Sequence, residues 1–459
     1  MDKNNGAIYD ARKLGKPKMI ILGVQHMFAM FGATILVPIL TGLDISTTLL
    51  MAGLGTLLFH CITKFKVPAF LGSSFAFLGG YAAIKAFSPN DPNSMLPYAC
   101  LGVACAGLIY FILAAVIKAV GIEKVMRFFP PVVTGPIIIA IGLGLAPSAV
   151  SNCTTNWFLA VVALAVIVVF NIWGKGMAKI IPIILGLLIS YGTGLVLYFI
   201  SQANPDLIQN VPWLFSGGAD ANGVYQPIFD FTSLNTICDN ISKGHIFGSE
   251  GLIGIPIHWD QTVFGGIDYS NGALIASSII AIVPIAFATM MEHIGDICAI
   301  SSTTGNNYIK DPGLHRTLVG DGLATTLASL FGGPANTTYG ENTGVLALTR
   351  VYDPRVIRIA AYFAVAVSFF PIVSVIIGSI PSCIIGGISF VLYGMISAIG
   401  VRNVVENKVD FTKSRNLIVA AVILVCALGL SSDTVSFTIG SAAITPVSYT
   451  HLRAHETKA

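Results

Sequence analysis

Long uncharged apolar runs follow one another along almost the whole chain, separated by short polar segments. Several runs reach the length of about 20 residues that a membrane-spanning helix needs, and runs 128–174 and 359–401 are long enough for two. We therefore expect an all-α polytopic membrane protein. The pattern predicts thirteen spans, near residues 19–40, 46–63, 67–86, 97–117, 130–149, 157–173, 180–200, 272–299, 317–333, 337–349, 356–378, 382–401 and 414–431.

The charge distribution supports this interpretation and predicts an orientation. Only 10% of the 459 residues are charged, whereas soluble domains have about 25%. If the N-terminus is cytoplasmic, each cluster of Lys and Arg falls on an inner loop, and the acidic segment 201–270 falls outside. This arrangement follows the positive-inside rule.

The second set of spans repeats landmarks of the first set. His26 follows a Gln in span one, and His293 follows a Glu in span eight. Two spans later in each half comes a short segment rich in Gly, Ser and Thr, at residues 71–77 and 336–344. Because seven spans is an odd number, the second copy must be inverted. Such interrupted segments at matching places indicate the central site of a transporter, and we predict a seven-plus-seven transmembrane inverted repeat with two broken helices.

The predicted organisation has five parts. They are a cytoplasmic N-terminus (1–18), a first seven-span repeat (19–200), an extracytoplasmic segment (201–270), an incomplete second repeat (271–446) and a non-native tail (447–459). Apolar sequence before Pro446 changes abruptly into a polar peptide. We therefore expect the chain to lack a fourteenth span, and a natural short polar tail is the alternative.

Two acidic residues lie where a membrane helix rarely has them. Glu292 follows an uncharged run from Tyr269 to Met291, and Glu341 follows Gly340 in the second polar segment. A carboxylate at mid-bilayer costs about 2.5–3.5 kcal/mol on insertion scales, so such groups usually face a cavity and have a function. Asp296 lies four residues after Glu292, on the same helix face. Two like charges there are hard to keep ionised together, which suits a proton-coupled site.

Several further residues near these acids have two interpretations each. His26 either takes part in proton coupling or bridges helices, and His293, on another face from Glu292, is expected to pack or to form hydrogen bonds. Phe75 and Tyr339 are either core aromatic residues or rings that stack on a planar ligand. Helices that begin near Phe75 and Glu341 would point free main-chain N–H groups into the cavity, each end carrying about half a positive charge.

The segment from Glu341 to Arg350, Glu-Asn-Thr-Gly-Val-Leu-Ala-Leu-Thr-Arg, resembles the signature of the nucleobase–ascorbate transporters, also called the nucleobase:cation symporter-2 family. Residues 25–34, 68–77 and 311–316 resemble the bacterial uracil permeases of that family. The resemblance covers residues 19–445.

The resemblance implies a particular fold and activity. It implies a core domain of spans one to four and eight to eleven that moves against a gate domain, with short strands in the two broken helices. It also implies uracil–proton symport in the bacterial cytoplasmic (inner) membrane. By motif position, Glu292 and Glu341 would accept hydrogen bonds from the uracil ring N–H groups. The main-chain N–H groups of Phe75 and Gly340 would donate to its carbonyls, with Tyr339 in the same substrate-binding set.

The predicted proton-coupling residues are Asp296, Glu292 and His26, and one of them departs from the family pattern. Asp296 stands where the best-known uracil symporters carry His, and Asp at this place resembles the purine-transporting branch. A xanthine or urate proton symporter is therefore the alternative within the family. An anion transporter or channel on the same fold is an alternative of another class, but Glu292 and Glu341 argue against an anion in the pocket.

The remaining sequence features concern partners and cofactors. The chain has no His-Glu-x-x-His motif and no strong nucleophile–base pair, which argues against an enzyme. Its eight cysteines show no metal-ligand spacing, so neither a metal nor a cofactor is expected. The expected partners are uracil or another nucleobase, protons, the lipid bilayer and, as an option, a second copy of the chain in a homodimer. No nucleic acid is expected.

Overall fold

The structure, a computed structural model, describes residues 7–121, 124, 130–179, 181–220 and 222–429, together with the backbone of 437–439 and 442–444. The predicted tail 447–459 lies outside the described residues, and so does the place of the fourteenth span, which was expected to follow residue 446.

Helices make up most of the fold. The first half contains α1 (Lys16–Thr41), α2 (Ile45–Ile62), strand β1 (Leu71–Ser73), α3 (Leu78–Lys85), α4 (Leu96–Val120), α5 (Pro131–Cys153), α6 (Trp157–Trp173) and α7 (Pro182–Ala203). The connecting segment contains α8 (Asp206–Asn210), α9 (Pro212–Phe215), β2 (Ser216–Ala219), β3 (Tyr225–Pro227), α10 (Thr232–Ser242) and α11 (Val263–Gly266). The second half contains α12 (Gly272–Ile282), α13 (Ile285–Thr304), α14 (Leu314–Leu330), β4 (Asn336–Thr338), α15 (Gly340–Thr349), α16 (Pro354–Ser368), α17 (Pro371–Gly378), α18 (Ser382–Glu406), α19 (Ser414–Gly429), β5 (Phe437–Ile439) and β6 (Ala442–Ile444).

Every predicted span coincides with a helical segment. One of them is the broken helix predicted at residues 71–77, and two others are not the continuous helices that were expected. Span 67–86 is extended through β1 and becomes α-helical only at Leu78. Span 272–299 consists of two helices joined at Val283 and Pro284. Span 356–378 bends by 87° between α16 and α17. A proline stands at the last two breaks, where its missing N–H interrupts helical hydrogen bonding.

Length and composition identify fewer spans than the sequence pattern predicts. Among the described residues, seven helices are long and apolar enough to cross a membrane, or eight if α16 and α17 form one bent span. Helices α6 and α19 are apolar but shorter. Helix α14 contains charged residues and is packed between α2 and α4, so neighbouring protein rather than lipid surrounds much of it.

The chain forms two compact units. Unit 1 comprises Met1–Phe128, His245–Ser374 and Gly440–Ala442, and unit 2 comprises Phe129–Gly244, Val375–Ile439 and Ala443–Ala459. Unit 1 therefore holds α1–α4 and α12–α16, which cover the spans expected in the core domain except for the second half of α17, where the boundary between the units falls. Unit 2 holds α5–α7, α18 and α19.

Helix packing inside each unit shows the internal repeat. In unit 1, α4 packs along α14 and α2 packs along α16. By their order in the two repeats, α4 corresponds to α16 and α2 corresponds to α14, so the two packed pairs are equivalent. In unit 2, α6 packs on α18 and α19 packs on α5. Here α6 corresponds to α19 and α5 corresponds to α18, so these two pairs are equivalent as well. Strand β1 pairs with its counterpart β4 in antiparallel orientation, as an inverted repeat requires. The predicted fold class is thus confirmed.

Candidate functional site

The two interrupted segments meet at the centre of unit 1. Leu71 pairs with Thr338, and Ser73 pairs with Asn336. Beyond the strands, each chain turns into a helix, as a 3-10 turn at Phe75–Phe77 and as α15 from Gly340. Within the described residues, no side chain caps either helix start. First-turn N–H groups have no partner within their own helix. Both starts therefore offer hydrogen-bond donors near the crossing, the place where β1 pairs with β4.

Tyr339 is packed into this crossing. A Cβ atom on Gly72 would lie 2.5 Å from two carbons of the Tyr339 ring, so only glycine leaves room for the ring. The Tyr339 hydroxyl donates a hydrogen bond to the main-chain oxygen of Ser73 (2.9 Å) and accepts one from the Thr34 hydroxyl (3.2 Å). Only 5% of Tyr339 is exposed. These contacts hold the strand pair against α1, and a contact between Tyr339 and substrate stays a prediction.

Helix α13 brings two carboxylates to the start of α15. Asp296 accepts a hydrogen bond from the Thr338 hydroxyl (2.9 Å), and its Oδ1 lies 3.9 Å from the position that a Cβ on Gly340 would take. Glu292 and Asp296 each interact electrostatically with Glu341. Three acids from two separate helices therefore lie close enough to one another to interact electrostatically.

A fourth acid, Asp321 on α14, completes the cluster and was missed by the sequence analysis. It is fully buried, its Oδ2 lies 3.4 Å from His293 Nδ1, and its carboxylate interacts electrostatically with Glu292 and Asp296. The available signal was an acid in the middle of the predicted span 317–333. Like Glu341, this acid directly follows a glycine, Gly320, and Gly322 comes directly after it.

His26 lies apart from these acids. It is fully buried on α1, and Asn342 on α15 approaches it through its side-chain amide. The Asn342 Nδ2 donates to the His26 main-chain oxygen (3.1 Å) and lies 3.2 Å from His26 Nδ1. This geometry shows His26 bridging α1 and α15. A part in proton coupling stays a prediction.

Phe75 lies at the start of the first broken helix. It is half-buried, and the 3-10 turn that it begins packs against α13, the helix that carries Glu292 and Asp296. An aromatic ring, carboxylates and two helix starts thus come from elements that pack together in unit 1. Among the described residues, no group of three or more His, Cys, Asp or Glu side chains is arranged to hold a metal ion.

Known proteins with similar sequences are permeases. The chain is 39% identical over 421 residues to a uracil permease of Bacillus caldolyticus, with 89% of this chain and 85% of that protein covered. It is 36% identical over 428 residues to a probable uracil permease of Haemophilus influenzae, with 91% of this chain and 89% of that protein covered. It is 35% identical over 440 residues to the putative pyrimidine permease RutG of Escherichia coli, with 95% of this chain and 89% of that protein covered.

Two solved structures share the fold at much lower sequence similarity. The transmembrane domain of the cyanobacterial bicarbonate transporter BicA matches with a TM-score of 0.63 at 13% identity, covering 92% of this chain and 97% of that one. The structure of SLC26A9 matches with a TM-score of 0.51 at 11% identity, covering 92% of this chain and 63% of that one. At such identities the likeness concerns the fold alone.

A family model described as the Permease family matches residues 17–435, nearly the whole chain. Together with the relatives above, this match shows that the chain is a multi-pass membrane protein that belongs to the Permease family.

Proposed function

We propose that this chain imports uracil across the bacterial cytoplasmic membrane by proton symport, with its N-terminus in the cytoplasm. One observation carries the proposal. The carboxylates of Glu292, Asp296 and Glu341 converge beside the uncapped start of α15, at the crossing of the two broken helices. Three of the relatives are named as uracil or pyrimidine permeases, which supports the choice of substrate.

The arrangement of donors and acceptors suits a uracil ring. Uracil alternates carbonyl and N–H groups around its edge. Carboxylates of Glu292 and Glu341 would accept from the N–H groups, and main-chain N–H groups of Phe75 and Gly340 would donate to the carbonyls. A site built to hydrogen-bond such groups strongly rejects analogues that lack them, because its buried polar groups would be left without partners.

Proton coupling follows from the crowding of acids. Removing several carboxylates from water without cations nearby is expensive unless protons neutralise some of them. Glu292 and Asp296 lie on one helix face, and Glu341 approaches both. A proton taken up with the substrate would reduce the repulsion in this cluster, so binding of substrate and binding of a proton favour each other.

Uracil uptake in cells that lack their own uracil carrier tests the proposal. We expect accumulation of radiolabelled uracil that a proton ionophore abolishes. The substitution Glu341→Gln should remove a charge-assisted hydrogen bond worth about 1.5–3 kcal/mol, which corresponds to roughly a 10- to 150-fold loss of affinity. Glu406→Gln is the matched control, because Glu406 is exposed on α18 and its ion pair is with Arg402. Uptake that survives both the ionophore and Glu341→Gln would refute the proposal.

Transport of a purine is the second candidate, and Asp296 is the observation that favours it. In the same cells, xanthine and urate should compete weakly with uracil if uracil is the substrate. Uptake of xanthine or urate without uptake of uracil would assign the chain to purine transport. The variant Asp296→His would then be expected to change which nucleobase is carried.

A further inference from the structure

Three buried side chains, those of Thr338, His293 and Asp321, link Asp296 with the protein interior. The Thr338 hydroxyl donates to Asp296 Oδ2 over 2.9 Å and lies 3.4 Å from His293 Nδ1. The same His293 nitrogen lies 3.4 Å from Asp321 Oδ2. The four residues come from α13, β4 and α14, and they form a continuous chain of polar atoms from the site to a fully buried carboxyl group.

Each side chain in this row carries a group that can donate or accept a proton. A hydroxyl both donates and accepts, so Thr338 can bond to Asp296 while its oxygen accepts from the His293 ring. The Nδ1 atom of His293 is the only one of its two nitrogens that approaches polar partners; among the described residues, Nε2 has none. Entry and exit of a proton at His293 therefore both pass through Nδ1.

Asp321 has little else to stabilise a charge. It has no exposed surface, and neither of its oxygens has a hydrogen-bond partner of good geometry within the described part of the chain. A buried ionised carboxylate with such poor solvation is costly, whereas the neutral acid is not. Asp321 is therefore a place where a proton can be held out of contact with water.

The surroundings of the pair contain further acids. Glu292 and Asp296 on α13 interact electrostatically with Asp321, and Tyr110 on α4 faces it with a hydroxyl that donates to Thr289 over 2.6 Å. Helix α2 contributes the uncharged ring of Phe59, edge-on to His293 with ring centroids 6.2 Å apart. A proton held at His293 or Asp321 would thus reduce the net negative charge of the whole cluster.

We propose that Thr338, His293 and Asp321 form a buried proton relay, through which the proton that accompanies substrate is shared between Asp296 and Asp321. In one transfer, the O–H bond of Asp321 breaks and an N–H bond forms at His293 Nδ1. That proton then passes to the Thr338 oxygen, whose own hydrogen moves to Asp296 Oδ2. One O–H bond at Asp321 is replaced by one at Asp296, with no change of oxidation state.

The relay rests on the proposed function, because it requires a substrate whose binding is coupled to protons. It differs from a simple supporting network in what it predicts. A purely structural role for these side chains would change the affinity for substrate equally at every pH. A relay instead changes how affinity depends on pH and how many protons are bound with each substrate molecule.

The test measures uracil affinity and proton uptake on purified protein in detergent. The dissociation constant is determined between about pH 5 and about pH 8, the range in which histidine groups respond. Proton uptake on addition of uracil is followed with a pH-indicator dye in weak buffer. The variant Thr338→Val keeps the shape of the side chain and removes the hydroxyl, and Thr338→Ser restores it. Thr337→Val is the matched control, because the adjacent Thr337 hydroxyl is buried without a partner among the described residues.

We expect wild type, Thr338→Ser and Thr337→Val to share one pH profile and one proton count. Thr338→Val should bind uracil with an altered pH dependence and fewer protons per uracil. His293→Asn, which places an amide near the Nδ1 position but does not titrate, and Asp321→Asn should reproduce that change. These two variants decide the matter independently if Thr338→Val does not fold.

Two results would overturn the relay. One is an unchanged pH profile and proton count in Thr338→Val, or in His293→Asn and Asp321→Asn. The other is an affinity loss that is the same at every pH. Failure of the proposed function looks different, because wild type itself would then bind no uracil. In that event the same series is measured with xanthine, and the relay is judged on that ligand.

Discussion

Asn342 on α15 donates its side-chain amide to the main-chain carbonyl of His26 on α1 over 3.1 Å, and the same nitrogen lies 3.2 Å from His26 Nδ1. Both residues are buried. The link fixes the first turn of α15, which carries Glu341, to the helix that also holds the strand crossing through Thr34. The geometry of the site therefore depends on a contact that does not touch the acids.

The substitution Asn342→Leu should lower stability. It leaves the Nδ1 atom of His26 buried without the Asn342 amide as its donor, which costs about 1–3 kcal/mol. Thermal unfolding in detergent measures the effect. Thr343→Val is the control, since the Thr343 hydroxyl has no partner among the described residues and its loss should be nearly neutral. Equal melting temperatures for the two variants would contradict the structural importance of the Asn342 link.

The positions of the two broken helices that carry β1 and β4 could be predicted from sequence because their signal is local. Glu341 directly follows a glycine inside an apolar run, and the matching segment near Phe75 lies at the same place in the first repeat. The charge on Glu292 stood out for the same reason. Polarity within a membrane span is rare enough that a single residue is informative.

The contacts between distant segments could not be predicted in the same way. His293 meets Thr338 and Asp321, and Asp321 lies on a helix that the apolar pattern describes only as one more span. Which face of each helix points inward depends on packing between helices far apart in the chain. The prediction that His293 packs or forms hydrogen bonds was therefore correct, but only the structure identifies Thr338 and Asp321 as its partners.

Gly72 is predicted to be intolerant of a larger side chain. The Cβ of Gly72→Ala would lie 2.5 Å from the Tyr339 ring and 2.7 Å from the Thr34 hydroxyl oxygen, and such overpacking costs about 1–3 kcal/mol. We expect a lower melting temperature and weaker uracil binding, because the ring must move. The control Gly344→Ala adds a methyl group with no neighbouring atom within 4 Å and should stabilise α15 by about 0.5–1 kcal/mol. A Gly72→Ala protein as stable as Gly344→Ala would show that the ring is not confined.

Phe75 is expected to contribute to affinity more than to stability. It is half-buried in a 3-10 turn that packs against α13, whereas Phe77 in the same turn is only 1% exposed. If Phe75 stacks on uracil, Phe75→Leu should lose about 0.5–1.5 kcal/mol of binding free energy, or roughly 2- to 12-fold in the dissociation constant. Phe77→Leu should lower the melting temperature and leave the affinity of the folded protein unchanged. Isothermal titration calorimetry with uracil checks both, and the reverse pattern would place the stacking ring elsewhere.

A short N-terminal segment, residues 8–14, joins the ends of the helices that carry the acids. Ile8 accepts a main-chain hydrogen bond from Tyr352 (2.8 Å), just beyond the end of α15. The Tyr9 hydroxyl donates to the main-chain oxygen of Thr304 (2.7 Å), the last residue of α13. The ring of Tyr9 also contacts that of Tyr352, with centroids 5.5 Å apart. The segment thus holds together the ends of α13 and α15 that lie away from the crossing.

Asp10 anchors this segment, and its charge should matter only in acid. The Arg12 side chain hydrogen-bonds to Asp10, and with the nearby Arg355 it holds the pKa of that carboxyl well below its usual range. Because the pKa is lowered in the folded state, the stabilisation is complete above the unfolded value of about 3.9. It is lost only as the pH falls through the lower folded value.

Hydrogen–deuterium exchange of residues 8–14 in nanodiscs measures this effect. Protection factors, corrected for the intrinsic exchange rate at each pH, should stay constant from about pH 8 to about pH 4 and fall below it. Asp10→Asn should lower protection at neutral pH. Asp353 also contributes to the segment, because it accepts the Ala11 N–H over 2.8 Å. The difference in protection factor between wild type and Asp10→Asn separates the contribution of Asp10 from that of Asp353. If that difference already disappears between about pH 7 and about pH 5, a group with a higher pKa than a carboxyl paired with two arginines must control the segment.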